Sequence, residues 1–102
     1  MSYDTEILIK ISNDKDIPNI EIINQKIKEL PYVGAIYFKP VPNSHWYYGE
    51  FNHLYRDDLL KIMKGLKWKW LFAVLIIIKD EHGAVMIRRL EDGETRYNEK
   101  IS

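Results

Sequence analysis

Residues 67–80 read KWKWLFAVLIIIKD, and the fold turns on what that stretch is. From Trp70 to Ile78 it carries nine apolar residues without a break. A membrane-spanning helix needs roughly 20 such residues, so the run is too short for an anchor and no membrane partner is expected. The β-branched Val74, Ile76, Ile77 and Ile78, and the abrupt stop at Lys79-Asp80, instead predict a strand buried on both faces near the centre of a sheet. Lys67, Trp68, Lys69 and Trp70 then become its half-buried entrance, with lysine stems along the indole rings and ammonium groups in water.

Immediately upstream, Tyr55, Leu59, Ile62, Met63 and Leu66 recur at helical spacing, while Arg56, Asp57, Asp58, Lys61 and Lys64 take the opposite side. Gly65 marks the end of this helix. Asp57 and Lys61 form an i,i+4 pair worth only about 0.2–0.5 kcal/mol, which makes the charges a solvated face. Further upstream, VGAIYFK (33–39) and HWYYGEF (45–51) are aromatic-rich strands around the PVPNS turn.

At the start of the chain, EILIKIS (6–12) places Ile7, Ile9 and Ile11 on one face of a strand. Pro18, with Asp16 or Asn19 as cap, opens a helix whose stripe is Ile20, Ile23, Ile27 and Leu30, and Pro31 ends it. Downstream of the opening stretch, a DEHG turn leads to AVMIRRL (84–90), and Asp92-Gly93 signals a further hairpin into ETRYNEK. The tail from 98 to 102 is expected to fray at the end of a single domain spanning 1–102.

These elements run β-α-β-β-α-β with one or two extra C-terminal strands. A helix ending in ELPYV and entering an AIYF strand, in that order, resembles the split β-α-β arrangement of ferredoxin-like folds. The resemblance implies an α+β antiparallel sheet with two helices on one face. It implies no single activity, because acylphosphatases, RNA-recognition modules, ligand-sensing domains and small inhibitors share this architecture. The glycine-rich phosphate loop of the first and the aromatic consensus of the second are both missing from this chain.

With 46% hydrophobic and 29% charged residues, the composition is that of an ordinary globular domain. There is no cysteine, which excludes disulfides, thiolate metal sites and cysteine nucleophiles. The N-terminal MSYDTEILIK lacks a basic segment followed by an apolar one, so the chain reads as cytoplasmic. A formal net charge of zero argues against affinity built on neutralising many phosphates. Lys61, Lys64, Lys67 and Lys69 nevertheless make a local basic face beside Trp68.

No cofactor motif or complete metal-ligand set is present. Ser44-His45 are neighbours that a strand would point to opposite faces, so a turn serine is the better assignment. His53 and Asp57 supply two ligands at helical spacing and would need a third, such as His45 or Glu50. His82 has no partner in sequence. The carboxylate pairs Asp57-Asp58, Asp80-Glu81 and Glu91-Asp92 sit in polar contexts. Enzymatic activity therefore has no support.

The aromatic strands are more informative. With Ile36, Phe38, Tyr47 and Phe51 toward the helices, alternation places Tyr37, Lys39, Trp46, Tyr48 and Glu50 on the other face, joined by Lys10 and Arg88. Aromatic anchors among charges of both signs suit a protein interface. The expectation is a small non-enzymatic protein-binding module, an immunity or inhibitor protein of a bacterium or phage that blocks a toxin or enzyme. The alternative is a single-stranded nucleic-acid-binding domain that stacks bases and uses Lys61, Lys64, Lys67, Lys69 and Trp68. A ligand-sensing or small catalytic domain comes third.

Overall fold

The computed structural model describes residues 4–30, 36–52, 54, 56–80 and 82–90. Its elements are strand β1 (Asp4–Lys10), helix α1 (Pro18–Lys28), strands β2 (Ile36–Pro40) and β3 (Trp46–Asn52), helix α2 (Arg56–Lys64), and strands β4 (Leu75–Lys79) and β5 (Val85–Arg89). Short 3-10 turns, Asp14–Asp16 and Leu71–Ala73, precede α1 and β4. The strands form one five-stranded antiparallel sheet in the order β2-β3-β1-β4-β5. Strand β3 thus lies between β1 and β2, and β5 extends the sheet beyond β4. The further strand expected over ETRYNEK falls outside the described residues.

Register decides which side chains are core. Ile9 stands opposite Tyr47 on one side and Ile76 on the other, and Ile76 stands opposite Arg88. Side chains directly opposite across a ladder share a face, so this row, with Ile7, Phe51 and Ile78, forms the inner surface. Ile20, Ile23 and Ile27 of α1 and Leu59, Leu60 and Met63 of α2 join the same buried cluster. Both helices therefore pack on that one side. Each isoleucine taken fully out of water contributes on the order of 1.5–3 kcal/mol.

Gly49 belongs to this inner face, opposite Ile7. A Cβ there would stand 2.6 Å from Phe51 Cε2 and 3.0 Å from Phe38 Cδ1. The missing side chain is what lets the two rings meet with centroids 5.2 Å apart.

Edge strand β2 is closed off by α1. The Asn24 side chain donates to Phe38 O (3.1 Å) and accepts from Phe38 N (2.9 Å), occupying backbone groups that another strand would otherwise pair with. Pro40 at the end of β2 presents no donor at all.

The opening stretch is not one strand. Strand β4 begins only at Leu75, and it is interior, flanked by β1 and β5. Val74, Ile76 and Ile78 are buried, as expected, whereas Leu75 and Ile77 on the other face are only half-buried. Residues 71–73 coil into a 3-10 turn, leaving Trp70 45%, Leu71 39% and Phe72 56% exposed. The reason lies at the start of the chain. Buried Asp16, expected to cap α1, instead accepts hydrogen bonds from Lys69 N (2.6 Å) and Trp70 N (3.0 Å). Asn19, the other expected cap, donates to Lys67 O (2.8 Å). Helix α1 starts without a side-chain cap, with Pro18 in its first turn. The Lys69 and Trp70 amides tied to Asp16 cannot enter the ladder, and the 3-10 bonds of Ala73 N and Val74 N keep the following residues out of it until Leu75.

Two substitutions test this division. Ile76→Asp should cost several kcal/mol, because it places an unpaired charge in an apolar core, whereas Phe72→Ser should shift stability by no more than about 0.5–1 kcal/mol. Urea unfolding followed by circular dichroism would show it, and comparable losses in both variants would restore the continuous strand. Asp16→Ala should cost about 2–4 kcal/mol in the same assay by stranding two backbone donors. An unchanged midpoint for that variant would mean the clasp contributes nothing.

Candidate functional site: the outer sheet face

The face away from the helices is read from the same registers. Lys39, Tyr48, Leu8, Ile77 and Ile87 form one row across all five strands. A second row is Trp46, Lys10, Leu75 and Arg89, and a third is Ile36, Glu50, Glu6, Lys79 and Val85. These residues are half-buried or exposed, with Val85 60% exposed. Both described helices bury their apolar stripes on the opposite side, so neither covers this surface.

Two polar contacts order its aromatic side. Lys10 Nζ lies over the Trp46 ring at 5.9 Å from the centroid, a cation–π contact worth about 0.5–1 kcal/mol at an exposed site. The Tyr48 hydroxyl donates to Glu6 Oε1 at 3.3 Å. The hairpin that presents both rings is fixed by its turn: Val41 N donates to Trp46 O (2.9 Å), and Asn43 takes a positive φ of 59°. The Ser44 hydroxyl donates to Val41 O (2.8 Å) and accepts from Trp46 N (3.1 Å). Ser44 thus has the turn role its sequence context suggested.

Trp46, Tyr48, Lys39 and Glu50 come together on this face as alternation predicts, with Lys10 among them. Tyr37 and Arg88 do not. The β2–β3 register shifts between Ile36 and Lys39, an irregularity that exchanges the faces of Ile36 and Tyr37. Tyr37 packs edge-on against Phe51 (centroids 6.0 Å apart) and beneath Lys28 Nζ (5.1 Å), while Ile36 joins the outer face opposite Glu50. Arg88, opposite Ile76, is 5% exposed on the inner side. Its neighbour Arg89 supplies the cation on the outer face. The offset follows the β4–β5 turn, where Asp80 Oδ1 accepts from His82 N and Ala84 N (both 2.9 Å) and Gly83 adopts a φ of 87°.

The proposed nucleic-acid residues divide differently. Lys61, Lys64, Lys67 and Lys69 are exposed. Trp68 packs against the core, and its indole N–H donates to Met63 O at 2.7 Å, so it is held as a structural brace. Sequence reasoning missed Trp70, Leu71 and Phe72 as surface residues, because the unbroken apolar run that contains them carries no signal of where its strand begins.

His45 and His82 are exposed, and His53 lies outside the described residues. Among the described residues there is no group of three His, Cys, Asp or Glu side chains placed to hold a metal ion. No helix among them is long and apolar enough to cross a membrane. Comparison with known protein families, curated proteins and solved structures finds no match for this chain.

Proposed function

We propose that this chain is a small, non-enzymatic protein-binding module that acts by covering a partner, as an immunity or inhibitor protein does when it blocks a toxin or enzyme of a bacterium or phage. The carrying observation is the outer sheet face, where Trp46 and Tyr48 stand side by side between Lys39, Lys10, Glu50 and Glu6. Large rigid rings surrounded by charges of both signs match the anatomy of an interface with a few anchors and a polar rim. The turn hydrogen bonds of Ser44 and the Lys10–Trp46 contact pre-order those anchors, which lowers the cost of immobilising them on binding. The scaffold belongs to the same proposal as a ferredoxin-like sheet with an added fifth strand. It is supported by the position of β3 between β1 and β2, with β4 on the far side of β1.

The test is capture of the partner from the native host, followed by titration of purified variants. Trp46→Ala combined with Tyr48→Ala should leave the thermal melt intact and weaken binding by at least about 2 kcal/mol, the usual threshold for an anchor. Loss confined to Lys61, Lys64, Lys67 and Lys69 variants, in a strongly salt-dependent complex with RNA or DNA, would replace this proposal with the nucleic-acid alternative.

A further inference from the structure

The turn at Trp70–Phe72 is a second exposed surface, built from different residues than the outer sheet face. Its side chains are large and apolar, and Trp70 and Phe72 stack with centroids 5.9 Å apart and planes at 27°. Its backbone is fixed at both ends. Asp16 holds Lys69 N and Trp70 N, and the 3-10 bonds Ala73 N to Trp70 O (3.0 Å) and Val74 N to Leu71 O (3.2 Å) close the far side. Ile17, which directly follows Asp16 in the chain, is a further exposed apolar residue at 38%.

The charges on the part of the chain that carries the turn are of one kind. From Leu59 to Lys79 the chain contains no aspartate or glutamate, and its cations are all lysines: Lys61, Lys64, Lys67, Lys69 and Lys79. In the 3-10 segment that clasps the turn, Asp16 is buried and engaged by two backbone donors, while Asp14 is exposed beside Lys15. This combination separates the candidate occupants. Protein interfaces take up tryptophan and phenylalanine but pair them with arginine or with charges of both signs, as on the outer sheet face, whereas here lysine is the sole charge between Leu59 and Lys79. Single-stranded nucleic acid needs open ring faces, but Trp70 and Phe72 turn one face of each to the other and Trp68 is tied to Met63 O. Tryptophan, leucine and phenylalanine beside lysines is the composition that seats in the headgroup boundary of an anionic bilayer, where rings bury and lysine stems extend toward the phosphates.

We infer that the Trp70-Leu71-Phe72 turn, with Lys67 and Lys69, is a peripheral site that docks on the surface of an anionic lipid bilayer. Such docking needs no spanning segment. The span-length criterion that excludes an anchor therefore does not bear on it.

The test is co-sedimentation of the full chain with vesicles of phosphatidylcholine alone and of phosphatidylcholine mixed with an equal amount of phosphatidylglycerol. The chain should bind the mixed vesicles and bind less as salt is raised. Trp70→Ser with Phe72→Ser should lower partitioning at least about tenfold, and Lys67→Glu with Lys69→Glu should remove the preference for anionic lipid. All four side chains are exposed, so these variants should stay folded, melting cooperatively within several degrees of the parent, and keep the comparison valid. Failure to sediment with mixed vesicles would overturn the inference. So would sedimentation insensitive to the aromatic pair, which would mark simple charge adsorption. A dimer or an oligonucleotide complex abolished by Trp70→Ser and Phe72→Ser would also overturn it, assigning the turn to a second copy or to nucleic acid.

Discussion

The buried carboxylate of Asp16 holds together two parts of the chain more than fifty residues apart in sequence: the entry to α1 and the connection between α2 and β4. A carboxylate 3% exposed to solvent is costly unless its oxygens are satisfied. Here each oxygen accepts one backbone N–H, and those two donors would themselves be stranded without it. The clasp holds residues 69 and 70 beside the entry to α1, outside the ladder, and the 3-10 turn at Leu71–Ala73 then leads into β4 at Leu75. From there alternation sets Ile76 against Ile9, and the β4–β5 turn sets Arg88 against Ile76.

Two surfaces of different character follow from that placement. The outer sheet face is broad and mixed in charge, and its aromatic side is ordered by the β2–β3 hairpin. The turn at 70–72 is small, apolar and flanked by lysine, and it is ordered by the clasp. Neither depends on the other for its geometry. A partner on the sheet and a bilayer at the turn are thus compatible within one small domain. Asn24 at the β2 edge serves the same separation, since a strand edge closed by its own helix is not left open to a neighbouring chain.

Much of this architecture was legible in the sequence because burial on one face writes a period. Ile7 and Ile9 alternate in β1 with Ile11 just past its end, and Ile20, Ile23 and Ile27 recur at helical spacing in α1, and all six are buried. The same alternation located Trp46, Tyr48, Glu50 and Lys39 on one surface. What was not legible depended on tertiary contacts that leave no local mark. Asp16 and Asn19 sit where helix caps belong, and nothing nearby shows that their side chains reach residues 67–70 instead. The register irregularity that sends Tyr37 inward and Ile36 outward occupies only a few residues of β2 and breaks no hydrophobic pattern. Arg88 and Arg89 are chemically alike neighbours, so only the register of β5 against β4 tells which one is buried.

KWKWLFAVLIIIKD divides into a clasped turn and a strand. Residue-resolved amide hydrogen exchange tests it most directly. Protection is expected at Lys69 and Trp70, rapid exchange at Leu71 and Phe72 in the first positions of the 3-10 turn, and protection again from Leu75 to Lys79. Unbroken protection from Trp70 through Ile78, with Lys69 exchanging freely, would contradict it and restore a single long strand.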